Sequence, residues 1–307
     1  MLSLSSFGPR TPVRHSPLLF LLLALCLILF WSSGFVGIRY ASEHAPVLLV
    51  LFWRTLIAGL VLLPFALLRG PRLTRRALLG QVMFGVLGNF VYLGGFAFAI
   101  GWRVPTGLVA LTADLVPLAI AALSLPLLGQ GLTARQWLGM AVGVAGVVIV
   151  SADTLRLGDA PLLAYVLPVL GMLSFALAIV LQKKLGAIEL PLAQSISIQS
   201  LTGAVFFALC AWQQGGLSPP ADAHFVIGIA WLVLFASLGC YAIYYLCLRL
   251  YSPARISSVI YLSPPVTMLW AWAMFQEPLT WMMFLGLAVT LAGVALASAT
   301  ERPGAAR

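Results

Sequence analysis

The stretch LTARQWLGMAVGVAGV, from Leu132 to Val147, returns later in the chain as LTWMMFLGLAVTLAGV, from Leu279 to Val294. Nine of the sixteen positions are identical, which is more than a shared apolar composition would produce. Prolines upstream of each stretch repeat as well, twelve residues apart in both places: Pro105 and Pro117, then Pro253 and Pro265. These matches predict that the chain contains two copies of one structural unit.

The composition around these copies is that of a membrane protein. Of the 307 residues, 62% are hydrophobic and only 8% are charged, and the mean hydropathy is +1.06. Soluble domains carry about 25% charged residues, so this chain has too few charges to cover a surface in water. The composition therefore excludes a soluble globular domain, a disordered chain and a fibrous repeat, and predicts an all-α integral membrane protein.

Ten apolar runs are long enough to be predicted as membrane spans, given that a helix needs about 20 apolar residues to cross the bilayer. The first run follows Arg14 and continues through Val36, which is longer than the core of a signal peptide, so it is predicted to be retained as a span. The ten predicted spans are Leu18–Ile38, Val47–Leu68, Ala77–Ile100, Pro105–Leu128, Trp137–Ser151, Pro161–Leu181, Leu192–Trp212, Phe225–Leu248, Ala254–Phe275 and Thr280–Ala299.

The distribution of Lys and Arg predicts the orientation. With the N-terminus in the cytoplasm, the inner segments hold thirteen of these residues and the outer loops hold three. The positive-inside rule then places both termini in the cytoplasm. Because topology accounts for the net charge of +9, no nucleic-acid partner is predicted.

The repeat divides the chain into two five-helix units. We predict a cytoplasmic tail (1–17), a first repeat (18–151), an outer linker (152–160), a second repeat (161–299) and a second cytoplasmic tail (300–307). Five is an odd number, so the second copy enters the membrane from the opposite side. Such inverted-topology repeats underlie many alternating-access carriers. A duplication that only enlarged a membrane scaffold is the alternative.

Several stretches resemble the EamA family of the drug/metabolite transporter superfamily. They are FWSSGFVGIRY (Phe30–Tyr40), LFWRTLIAGLVLLP (Leu51–Pro64) and the two repeated stretches. The resemblance implies a ten-span secondary carrier in a prokaryotic inner membrane, in a family that commonly exports amino acids or other small metabolites. The family often has Glu before the Leu-Thr that opens the last helix of each half. Here the second half has Glu277 but the first has Gln130. Glu277 is predicted to be a solvated loop carboxylate, with a gating role as the alternative.

Two charged residues fall deep inside predicted spans, where ionisable groups are costly and mark candidate sites. Arg54 and Asp114 lie at similar depths in the outer half of the second and fourth spans. An Arg fork suits a carboxylate, and Asp114 suits an ammonium group or a coupling proton. The alternative is that the two side chains pair only with each other, or that Arg54 extends outward to water.

Polar and aromatic residues at related depths complete the predicted substrate site. The first half contributes Ser32, Ser33, Asn89 and Tyr92, whereas in the second half Gln199 matches Arg54 in the repeat. Tyr244 and Tyr261 are further candidates, for which simple packing is the alternative.

The sequence contains no pattern that predicts a cofactor, a metal site or ATP hydrolysis. The three His are far apart in sequence, all four Cys fall in apolar spans, and there is no phosphate-binding glycine motif. Transport is therefore predicted to be driven by an ion gradient, with protons as a candidate coupling ion, or else to be facilitated. The rival class is an integral membrane enzyme acting on a lipid, which would need acidic or His residues clustered at a membrane face.

Overall fold

The computed structural model describes residues 17–157, 160–186 and 190–298, and within these ranges it contains helices and no strand. Nine helices are long and apolar enough to cross a membrane, and a tenth, shorter apolar helix follows them. The predicted all-α, ten-helix membrane fold is therefore confirmed. The predicted tails lie outside the described residues, except for Pro17 at the edge of the first tail.

We number the helices α1 to α10 in chain order. Two of them, α4 and α9, each consist of two segments. The helices are α1 (Pro17–Ala41), α2 (Val47–Arg69), α3 (Arg75–Gly101), α4 (Thr106–Ala113 and Val116–Leu128), α5 (Ala134–Leu157), α6 (Leu162–Lys184), α7 (Leu192–Gln213), α8 (Ala223–Leu250), α9 (Pro253–Ile260 and Ser263–Phe275) and α10 (Trp281–Ser298).

Helix α5 is longer than its apolar run predicted. The prediction ended the span at Ser151, but the helix continues to Leu157, into the predicted outer linker. Its polar end is satisfied within the protein, because Thr154 donates to the carbonyl oxygen of Val150 at 3.0 Å and Asp153 accepts a hydrogen bond from Thr280. Hydropathy alone does not detect a span whose last turn is stabilised by such hydrogen bonds.

Helices α4 and α9 are broken at matching places near the middle of each span. The break in α4 lies at Asp114 and Leu115, and the break in α9 lies at Tyr261 and Leu262. Pro117 explains the first break, because proline has no N–H to donate to the carbonyl of Ala113. Each second segment begins with proline in its first turn, where the missing N–H costs nothing.

Two further helices, α3 and α8, contain π-helical segments. These segments are Gly85–Val91 and Leu232–Gly239. The distance in sequence between the two segments is close to the distance between corresponding prolines of the two halves. The two π-helical segments therefore lie at matching places in the two halves. π-helical turns shift the side chains that follow them around the helix and are frequent at functional sites.

Packing between the halves is closest where α5 meets α10. A Cβ atom at Gly139 would lie 2.7 Å from the carbonyl oxygen of Gly293, and one at Gly286 would lie 2.6 Å from that of Gly146. The helices are antiparallel, because later residues of α5 meet earlier residues of α10. The contacts are also reciprocal, since Gly286 and Gly293 occupy the positions of Gly139 and Gly146 in the repeated stretch. Such reciprocity is expected of helices related by a two-fold axis.

Candidate functional site

The Arg54 side chain reaches from α2 to the π-helical segment of α8. Its Nε donates to the hydroxyl of Ser237 at 3.3 Å, and that hydroxyl donates to the carbonyl oxygen of Leu232 at 3.0 Å. The Nη1 atom of Arg54 is buried and has no hydrogen-bond partner among the described residues. Arg54 is thus held by one edge of its guanidinium while another donor stays unsatisfied.

Asp114 lies at the break of α4, where it follows the first segment of that helix. Its side chain is buried, with 6% exposure, and its Oδ2 atom has no hydrogen-bond partner within the described part of the chain. A buried polar group left in this state costs roughly 1–3 kcal/mol, and more when it is charged. The ion pairs found among the described residues include neither Asp114 nor Arg54. The predicted alternative, in which the two pair with each other, is therefore not what the structure has.

Tyr92 connects these two charged residues. It interacts electrostatically with both Arg54 and Asp114, and its ring stacks on Phe175 with the centroids 4.6 Å apart. Tyr241 and Cys240 of α8 also interact electrostatically with Arg54. The structure therefore brings Arg54, Asp114 and Tyr92 into one neighbourhood.

Sequence reasoning did not single out Ser237, Cys240 or Tyr241. One signal was available for the first two. At the sequence offset that relates the prolines of the two halves, Ser237 corresponds to Asn89 and Cys240 corresponds to Tyr92. Asn89 and Tyr92 are both predicted site residues.

The two predicted serines of α1 have hydroxyls that are already engaged. Ser32 is fully buried and lies 3.1 Å from the hydroxyl of Ser263, so it joins α1 to α9. Ser33 donates to the carbonyl oxygen of Phe30 in its own helix, at 2.7 Å. Their roles in substrate binding stay predictions.

The remaining predicted residues lie at contacts between helices. Asn89 packs against Gly203, where an added Cβ would be 3.0 Å from that of Asn89. Gln199 donates to the side-chain oxygen of Gln81 at 2.7 Å. The Tyr244 ring lies 6.1 Å from that of Trp31, and Tyr261 lies at the break of α9. Their roles in substrate binding also stay predictions.

Glu277 is not a solvated loop carboxylate, and that prediction is wrong. Its side chain is only 15% exposed. It accepts hydrogen bonds from the backbone N–H and the hydroxyl of Thr106, at 2.8 and 2.6 Å, and its Oε1 lies 3.4 Å from Nε of Arg39. Burial raises the pKa of Glu277 above its usual range, against the opposite effects of Thr106 and Arg39. Sequence could not indicate this, because both partners are far away along the chain.

The comparison with known families agrees with this architecture. The EamA-like transporter family matches the sequence twice, over residues 18–152 and 162–299. The chain belongs to this family. As an EamA-family protein with this many apolar helices, it is a multi-pass membrane transporter.

Individual relatives of this EamA-family protein carry transporter names. The chain is 30% identical to the "Uncharacterized inner membrane transporter YedA" of Escherichia coli K12, over 91% of this chain and 90% of that protein. It is 23% identical to the "Probable amino-acid metabolite efflux pump" of Escherichia coli K12, over 89% and 92%. A solved crystal structure superimposes with a TM-score of 0.63 at 19% identity, over 91% of this chain and 96% of that one, which shows a shared fold.

Proposed function

We propose that the protein is a secondary transporter that exports a small metabolite, amino-acid-like or drug-like, across the bacterial inner membrane by alternating access. The observation that carries the proposal is a pair of unsatisfied, oppositely charged groups on two membrane helices. They are Nη1 of Arg54 and Oδ2 of Asp114, both buried.

A substrate that carries both a carboxylate and an ammonium group would satisfy these two atoms at once. The planar guanidinium of Arg54 suits a carboxylate, and the carboxylate of Asp114 suits an ammonium group. Tyr92, which interacts with both, offers an aromatic face that favours a cation close to it. Without substrate the site is left unsatisfied, so binding would recover free energy that the empty protein lacks.

Alternating access is supported by the way the halves pack. The reciprocal glycine contacts of α5 and α10 and the matching breaks in α4 and α9 are both expected of an inverted repeat. The breaks provide points at which a short helical segment can move without bending a continuous hydrogen-bonded helix.

Direction and location rest on two lines of support. One relative is named as an efflux pump and another as an inner membrane transporter. The excess of Lys and Arg on one side favours cytoplasmic termini.

Transport by purified protein in liposomes tests the proposal. We would screen amino acids and cationic drugs with and without a pH gradient, and then compare Arg54→Gln and Asp114→Asn with the native protein. Each variant is expected to raise the KM for zwitterionic substrates at least about tenfold, equivalent to about 1.4 kcal/mol. Arg69→Gln, at the far end of the same helix, is the matched control and should transport normally. Normal transport by both site variants, or no saturable flux of any compound, would contradict the proposal.

A further inference from the structure

Three residues form a contact between the halves at the predicted outer face, which we call the outer latch: Arg39, Thr106 and Glu277. Arg39 lies near the end of α1, Thr106 is the first residue of α4, and Glu277 lies in the loop between α9 and α10. Glu277 accepts two hydrogen bonds from Thr106 and faces Arg39, as described above. The latch therefore joins two helices of the first half to a loop of the second.

The position of Arg39 in the latch is fixed from several sides. Its Nη1 donates to Glu43 at 2.6 Å, and Glu43 also accepts from Arg103 at 3.0 Å. Its guanidinium lies 5.0 Å from the ring centre of Phe275, the last residue of α9. Arg39 belongs to the first half, but its guanidinium also contacts Glu277 and the ring of Phe275, which belong to the second half.

The latch is connected to the proposed substrate site through one short segment of helix. Thr106 begins the eight-residue segment Thr106–Ala113, and Asp114 follows its last residue. At 1.5 Å per residue, this segment is about 12 Å long. Because the segment is separated from the rest of α4 by the break, a displacement at Thr106 would be transmitted to Asp114.

The opposite face has a much weaker contact at the matching position. Gln130 takes the place of Glu277 in the repeat, and its oxygen lies 3.5 Å from Nζ of the exposed Lys183. Two hydrogen bonds of 2.8 and 2.6 Å to a side chain that is only 15% exposed hold the neighbouring elements more strongly than one contact of 3.5 Å to an exposed amide. At these two matching positions the contacts between the halves therefore differ in strength.

We propose that Glu277 is a positioning residue of the transport cycle: together with Arg39 and Thr106 it holds the outer face closed, and the latch must open before substrate can leave. This inference rests on the proposed alternating access. It predicts that weakening the latch exposes the site to the outside and changes the maximal rate of transport more than the KM.

Accessibility of Cys240 from outside tests the inference without a known substrate. Cys240 is buried and interacts with Arg54, so a reagent can reach it only through an open path. In a background with Cys26, Cys210 and Cys247 changed to Ala, intact cells would be treated with a membrane-impermeant maleimide. Cys240 is expected to be labelled at least about threefold faster in Glu277→Ala than in the protein with the native latch. In Thr106→Val the labelling rate is expected to be intermediate.

The matched control is Glu43→Gln, which removes the charge of another carboxylate beside Arg39 but keeps an oxygen that can accept from Arg39, and which joins only elements of the first half. It should label at the native rate. The inference is overturned if Glu277→Ala labels at the native rate while monodisperse by size exclusion, or if Glu43→Gln labels equally fast. Arg39→Met provides a second route should Glu277→Ala fail to fold, and an unchanged rate there counts against the latch in the same way.

The outcomes for the latch and for the transporter are distinguishable. Faster labelling in Glu277→Ala together with no flux of any substrate would leave the latch standing and contradict the proposed function. Saturable flux with no effect of the latch variants on labelling or on maximal rate would support the proposed function and contradict the latch.

Discussion

At the scale of single residues, the orientation of Arg54 depends on Ser237. The Ser237 hydroxyl accepts from Nε of Arg54 and donates to the Leu232 carbonyl, so it fixes one edge of the guanidinium. Ser237→Ala leaves Nε without this partner and is expected to raise the KM about fivefold, equivalent to about 1 kcal/mol, with little change in maximal rate. Ser237→Thr keeps the hydroxyl and should keep the native KM. Equal KM values for the Ala variant and the native protein in the liposome assay would contradict this role.

Residues of this kind differ in how far the sequence could predict them. Arg54 and Asp114 were predictable, because a charged side chain within an apolar run is conspicuous without any structure. Glu277 was not, because its importance comes from Thr106, 171 residues away. Ser237 had only its match to Asn89 in the repeat as a signal, and its partner Arg54 lies 183 residues away. A serine in a span and a glutamate in a loop are ordinary until those partners are known.

At the scale of helices, the contact of α5 with α10 depends on glycine. A Cβ at Gly286 would lie 2.6 Å from the carbonyl oxygen of Gly146, and backbone atoms cannot move aside easily. Gly286→Ala is expected to destabilise the protein by about 1–3 kcal/mol through overpacking. Gly80→Ala is the control, because a Cβ there meets nothing within 4 Å. Thermal unfolding in detergent should show a lower midpoint for the first variant only. Equal midpoints would mean that the helices separate at little cost.

The helices also show where sequence patterns stop being informative. Apolar runs predicted the ten helices, and Pro117 and Pro265 marked the spans that are broken. The π-helical segments of α3 and α8 were not predictable, because no residue pattern encodes them and they depend on packing against neighbouring helices. Helix α5 was predicted too short, because the hydrogen bond between Asp153 and Thr280 joins residues from the two halves.

At the scale of the whole molecule, the two faces differ in how they respond to protons. In the latched arrangement burial raises the pKa of Glu277, whereas contact with water in an open arrangement would return the pKa toward its ordinary value. The closed form therefore binds the proton more tightly, and acidification favours it. Gln130 at the matching inner position cannot titrate. Acid would accordingly act on Glu277 at the predicted outer face and not on Gln130.

Cysteine labelling at different pH values measures this effect. Because maleimide reacts with thiolate, labelling of Cys240 slows in acid for every variant. The informative quantity is therefore a ratio, the labelling rate in Glu277→Ala divided by the labelling rate in the protein with the native latch. As the pH falls, this ratio is expected to grow, since only the native latch gains from protonation. Arg39 is the titratable group that faces Glu277, and Glu43 and Arg103 connect to it through Arg39.

One other titratable contact lies on the predicted outer loops and has to be separated from the latch. The rings of His44 and His224 stack 4.7 Å apart, with Asp222 3.5 Å from Nδ1 of His44. This contact is present in both proteins and cancels in the ratio of their labelling rates. A ratio that stays constant with pH would show that Glu277 has the same proton affinity in the open and closed forms. The latch would then close the outer face by geometry alone, with no contribution from its charge.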